Sequence, residues 1–103
     1  EIGSHSMTHR MMTRLSDGEI HWEAVTSRQK LEEWLGGPVL FFAYPGGEWN
    51  GRVVAIVSTT GYFGAMAAWG GTHWTREKRW AEPRIEIGGT ISLDRFAWYV
   101  ERF

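Results

Sequence analysis

The run Val39-Leu40-Phe41-Phe42-Ala43-Tyr44, followed at once by Pro45-Gly46-Gly47, decides how this chain folds. Its first six residues are continuously apolar rather than alternating, the pattern of a strand covered on both faces inside a parallel sheet. The proline and two glycines then end it in a turn. Upstream, Ser16-Asp17-Gly18-Glu19 has the Ser-x-x-Glu form of a helix capping box. The apolar positions Ile20, Ala24, Leu31, Trp34 and Leu35 fall on one helical stripe, which Gly36-Gly37 stops. Downstream, Asn50 caps a second predicted helix with Val53, Val54, Ile56 and Val57 facing inward, and Gly61 follows its end. Tyr62 to Ala68 reads as the next strand, Trp69 to Pro83 as a long loop without period, and Arg84 to Ile87 as a short strand. Ser92 caps a last helix whose buried stripe is Leu93, Phe96, Val100 and Phe103. This β-α-β-α-β-α order requires parallel pairing through right-handed crossovers, in an open sheet or in part of a barrel.

Composition sets the limits. A chain of 103 residues is one domain, residues 1–103, able to bury roughly 60 to 70% of its unfolded surface. Eleven basic and twelve acidic residues are interspersed to a net charge of −1, which leaves no electrostatic footprint for nucleic acid or an anionic membrane surface. The absence of cysteine excludes a disulfide framework, a thiolate metal site and a cysteine nucleophile. No apolar run approaches the roughly 20 residues of a membrane span.

Two histidines four residues apart, in Ser4-His5-Ser6-Met7-Thr8-His9, are the first candidate for chemistry, because imidazoles at that spacing can converge on one metal ion. Ligands of α/β folds gather at the carboxyl edge of the sheet, where strands end and loops begin. His5, His9 and the Pro45-Gly46-Gly47 turn can share that edge. Taken alone, a His-x-x-x-His pair is commonly accidental, and Gly-Ser-His near an N-terminus also has the look of an expression-vector remnant. Seven tryptophans are a high number, and Trp49, Trp69, Trp74 and Trp80 fall in predicted loops. Indole faces there suit stacking on sugar rings or, equally, packing of a small core. His21, beside Trp22, reads as a surface residue, and Arg76, Lys78 and Arg79, broken by Glu77, read as solvated loop.

These residues, in order, resemble the NodB-like polysaccharide deacetylases, carbohydrate esterase family 4. His5-Ser6-Met7-Thr8-His9 is similar to the family's His-[Ser/Thr]-x-x-His motif, and Phe42-Ala43-Tyr44-Pro45-Gly46-Gly47 is similar to the Phe-Ala-Tyr-Pro-Tyr-Gly segment of one branch. Leu15-Ser16, Ser27 to Glu32, Leu35-Gly36, Gly61-Tyr62, Pro83-Arg84-Ile85 and Ser92 to Phe96 fit the same branch, so the resemblance spans essentially the whole chain. It implies an α/β fold that is a partial, distorted (β/α) barrel lacking its first strands, the C-terminal portion of such a domain. It also implies a hydrolase that removes acetyl groups from N-acetylated or O-acetylated polysaccharide with a metal-bound water. The implied cofactor is a divalent metal, usually zinc, with His5 and His9 as two ligands and Ser6 steadying their loop. Tyr44, Pro45 and Gly46 would then form the substrate and oxyanion side, through the backbone N–H of Gly46. The residues themselves leave the location open, and the resemblance suggests the bacterial cell envelope or secretion.

Departures from the family pattern are equally plain. The first motif, which supplies the aspartate base and an aspartate ligand, would lie upstream of Glu1. The arginine of the common third motif is replaced by Ala43, the aromatic residue after the proline is Gly46, and no Leu-x-His appears near the C-terminus. His73 is a further candidate to approach the site. Glu1, Asp17 and Glu19 are substitute carboxylates only in principle, the latter two reading as helix-start residues. Two alternatives stay open: a non-catalytic carbohydrate-binding remnant, and a structural one whose exposed sheet edge a second copy covers.

Overall fold

The computed structural model describes residues 1–69 and 73–101. Strand β1 (Phe41–Ala43) pairs in parallel with β2 (Gly64–Met66), Phe41 opposite Gly64 and Ala43 opposite Met66. Single parallel bridges extend the sheet on both sides, from Ser4 to Phe42 and from Met66 to Glu82. Four segments therefore run side by side in chain order, all pointing the same way, as successive βα units demand.

Helix α1 (Asp17–Leu35) starts at the predicted capping box. The Ser16 hydroxyl accepts from the Glu19 N–H and the Glu19 carboxylate accepts from the Ser16 N–H, while Gly36 closes the other end in the left-handed conformation. Helix α2 (Gly51–Val57) starts at Asn50, whose side chain accepts from the Val53 N–H. Ile20 and Ala24 of α1, Val53 and Val57 of α2, Phe42 and Tyr44 around β1, and Ala65 of β2 join one core with Met12, Leu15, Val39 and Tyr62. Val54, Ile56 and Leu31 pack partly against it.

Several expectations are corrected. The strand predicted over Arg84 to Ile87 does not form, and the last sheet contact is made instead by Glu82, two residues earlier. The loop from Trp69 contains a short 3-10 turn at Arg76–Lys78. On α1 the buried stripe is Ile20, Glu23, Ala24 and Ser27, whereas Trp34 is 77% and Leu35 49% exposed, because the helix runs past the edge of the core. Helix α3 (Leu93–Val100) is capped by Ser92 as expected, but Leu93, Phe96 and Val100 are all exposed. Phe103 lies outside the described residues.

The buried polar groups are satisfied by one another. The Ser4 hydroxyl donates to Ser27 Oγ at 2.6 Å, and the Ser27 hydroxyl is within 2.7 Å of the Glu23 carbonyl. The Tyr62 hydroxyl donates to the Ala24 carbonyl at 2.7 Å. Ser4, one residue before His5, is thus tied to α1 from the side and to β1 along the sheet, where its N–H donates to the Phe41 carbonyl at 2.9 Å.

Candidate active site

The carboxyl edge of the sheet carries three consecutive loop starts: His5 after the Ser4 bridge, Tyr44 after β1 and Ala67 after β2. The turn Pro45–Gly47 folds back there through two left-handed glycines, Gly46 at φ 63° and Gly47 at φ 70°. Its internal hydrogen bonds run from the Gly47 N–H to Tyr44 and from the Glu48 N–H to Pro45, so the Gly46 N–H stands outside them. His5, Tyr44, Gly46 and Gly47 line a cleft of about 330 Å³, completed by Ala68, Arg84, Ile85 and Glu86. His5 also borders a second, wider cleft of about 700 Å³ that includes Glu1, Trp74 and Arg84.

His5 and His9 lie edge to face with ring centroids 4.7 Å apart. The His5 Nδ1 is 2.8 Å from the Ala43 carbonyl. A carbonyl only accepts, so Nδ1 carries the proton and the Nε2 lone pair is left for a ligand, the arrangement that orients histidines on metals. Both side chains are exposed. His9 and Ser6 adopt left-handed backbone, φ 60° and 72°, which non-glycine residues hold only where surroundings impose it.

What imposes it is Glu23, a residue the sequence reading passed over. Its carboxylate is fully buried and accepts from the Met7 N–H at 2.7 Å, the Thr8 N–H at 3.1 Å, the Thr8 hydroxyl and the Arg10 guanidinium at 3.2 Å. Arg10 also reaches Glu19 at 2.9 Å, and the Ser6 hydroxyl accepts from the His9 N–H at 2.9 Å. The loop between the histidines is therefore clamped at its middle. A signal was present: position 23 sits between Ile20 and Ala24 on the apolar stripe, where an acid must be paired.

Burial by itself would raise the Glu23 carboxyl, but the hydrogen bonds of Thr8, Met7 and Arg10 outweigh it and hold the group below the usual carboxylate range. Glu19 is held low by its bonds with Ser16 and then Arg10. Both protonate more readily in the unfolded chain. Their stabilisation is complete above about pH 4.3 and lost as pH falls from there through the depressed folded values. Thermal melts from pH 7 to 3 should show stability falling below that point, with a shallower fall in Glu23→Gln; an equal slope in both would refute the role given to this carboxylate. Burial pushes the Tyr44 phenol far up, and its hydroxyl donates to the Trp80 carbonyl at 2.6 Å, so Tyr44 contributes its position and not its proton.

Of the other candidates, Pro45 is buried and Gly46 exposed in the cleft lining. Asp17 pairs with Arg52 at 2.7 Å and Glu19 serves the capping box, while Glu1 borders the wider cleft with His5. His73 is exposed and lines neither cleft. Among the described residues no third histidine, cysteine, aspartate or glutamate joins His5 and His9 in a cluster able to hold a metal. The two imidazoles thus fit a zinc ion as part of a donor set, short of the three protein ligands of catalytic zinc. No helix among the described residues is long and apolar enough to cross a membrane.

A polysaccharide deacetylase family model matches residues 1–65. A curated peptidoglycan-N-acetylglucosamine deacetylase of Bacillus cereus is 31% identical over 87 residues, covering 84% of this chain and 38% of that protein. The crystal structure of a polysaccharide deacetylase from Bacillus cereus superposes with a TM-score of 0.83 at 25% identity, over 97% of this chain and 32% of the other. A Streptococcus pyogenes deacetylase, solved in complex with acetate, shares the fold with a TM-score of 0.82 at 19% identity, over 94% of this chain and 43% of the other. The chain thus spans well under half the length of each of these relatives.

Proposed function

The chain belongs to the polysaccharide deacetylase family, hydrolases of acetylated carbohydrate, and on that premise we propose that it contributes the two-histidine side of a metal-dependent site that removes acetyl groups from an N- or O-acetylated polysaccharide. The observation that carries the reading is the pairing of His5 and His9 at 4.7 Å, with His5 Nδ1 committed to Ala43. His5 and His9 would hold a divalent metal, zinc before others, and such an ion supplies a water activated near neutral pH. The Gly46 N–H, outside the turn's own bonds, would donate to the substrate carbonyl oxygen as it gains charge. Tyr44 and Pro45 hold that turn against the cleft, and the glycine at 46 leaves the wall open beside Met11, whose sulfur lies 2.7 Å from where a Cβ would stand. No described residue is assigned the role of base.

Zinc titration of the chain and of His5→Ala, His9→Ala and His21→Ala tests this reading. Each of the first two substitutions should weaken binding at least about tenfold, since even partners of metal ligands contribute that much, while His21→Ala should leave it unchanged. Equal binding by all four proteins would remove the metal assignment. With no base among its described residues, the chain alone should release little acetate from a chito-oligosaccharide even with added zinc, and release that persists in both site variants would place the hydrolysis elsewhere.

A further inference from the structure

Beyond the turn, the chain builds another concavity that the deacetylation site does not use. Trp49, Trp69 and Trp80 line a pocket of about 290 Å³ with Glu77 and Lys78. Trp49 and Trp69 are 42% and 56% exposed, so their apolar faces are presented to solvent and not spent on the core. Three indoles meeting in one concavity, with charged groups in its lining, form a ligand-type surface of a kind that scattered surface residues do not make. Its volume is at the small end of the roughly 300–1,000 Å³ typical of ligand sites, enough for one ring and not for a peptide segment.

The pocket and the first cleft are built on neighbouring residues of the same two loops. Ala68 lines the cleft and Trp69, next in the chain, lines the pocket. Gly47 backs so closely on Ala68 that a Cβ there would lie 2.3 Å from the Ala68 Cβ, and Trp49 follows two residues later. Tyr44, in the cleft wall, donates its hydroxyl to the carbonyl of Trp80. The Arg79 guanidinium lies 5.1 Å from the Trp80 ring centroid, a contact that fixes the indole's orientation.

We propose that this pocket is a sugar-binding subsite, taking one pyranose ring of the polysaccharide whose neighbouring unit occupies the His5 cleft. It rests on the deacetylase reading for the identity of the polymer, but its own chemistry is independent of metal. The apolar C–H face of a pyranose matches an indole face, and its peripheral hydroxyls match charged groups such as Glu77 in the lining.

The test is titration of the chain with N-acetylglucosamine tetramer and with glucose tetramer in the presence of EDTA. Binding is read from the indole N–H signals of the ¹⁵N-labelled protein and by calorimetry. At least one tetramer should bind and shift the signals of Trp49, Trp69 and Trp80 while leaving that of Trp34 in place. Trp49→Ala and Trp69→Ala should each weaken binding about tenfold, Trp49→Phe should retain most of it, and His21→Ala, remote from both concavities, should bind as the parent does. Should an alanine variant fail to fold, Trp49→Phe and the parent's own shifts decide the matter. No binding of either tetramer, shifts confined to other tryptophans, or undiminished binding by Trp49→Ala and Trp69→Ala would overturn the subsite. Since zinc affinity is measured separately, failure of the metal reading and failure of the subsite give different results.

Discussion

Glu23→Ala should destabilise the chain by about 2–4 kcal/mol and weaken zinc binding in the same variant. The carboxylate is the common acceptor for two backbone N–H groups and a hydroxyl from the segment between the histidines and for the guanidinium of Arg10 just beyond it. Alanine would take away the shared acceptor of these part-buried donors, and each that finds no replacement costs about 1–3 kcal/mol. For a domain of this size, each kcal/mol lowers the melting temperature by roughly 4–8 °C, so a drop of about 10 °C or more is expected. Loss of this clamp would loosen the left-handed backbone at Ser6 and His9 and let the imidazoles separate. Thermal melts and zinc titration of the same sample check both effects. A variant that melts like the parent and binds zinc like the parent would show that the clamp does not set the site.

Gly47→Ala should cost about 2–4 kcal/mol through a different route, the loss of a close backbone approach. At φ 70° any side chain is strained, and the added Cβ would meet the Ala68 Cβ at 2.3 Å and the Ala68 nitrogen at 2.9 Å. Backbone after β2 cannot swing away as a side-chain tip can, so the ends of β1 and β2 must part and the cleft between them must change. Gly46→Ala makes the useful contrast. It has nearly the same φ, 63°, but its new Cβ would meet only the sulfur and methyl of Met11, the far end of a flexible side chain. Chemical denaturation should therefore rank parent above Gly46→Ala above Gly47→Ala. Equal losses in the two variants would mean that the left-handed backbone alone, and not contact with Ala68, demands glycine at 47.

Local signals were read reliably where chemistry is local. Ser16, Asn50 and Ser92 cap their helices as their spacing foretold, because a cap is settled within four residues. The continuous apolar run at 39–44 yields β1, shortened to Phe41–Ala43, since one strand cannot extend beyond the partners it finds. Faces were read less well than elements. Periodicity marks which residues share a stripe, but only the packed neighbours decide how far the core reaches along it, and so Trp34, Leu35 and the whole of α3 lie outside. Arg84 to Ile87 has strand composition, yet the partner carbonyls and N–H groups of β2 are met by Glu82, and register is a property of two segments together.

The sequence by itself determined the order of the elements, their caps, the turn after β1 and the two histidines as a unit, because each rests on residues a few positions apart. Only the tertiary structure decided that His5 faces the Ala43 carbonyl 38 residues away, that Glu23 crosses from α1 to grip the loop between the imidazoles, and that three tryptophans from two loops meet in one pocket. Those relations depend on the parallel sheet bringing successive loop starts to one edge. No spacing along the chain encodes a distance between segments until the core beneath them has packed.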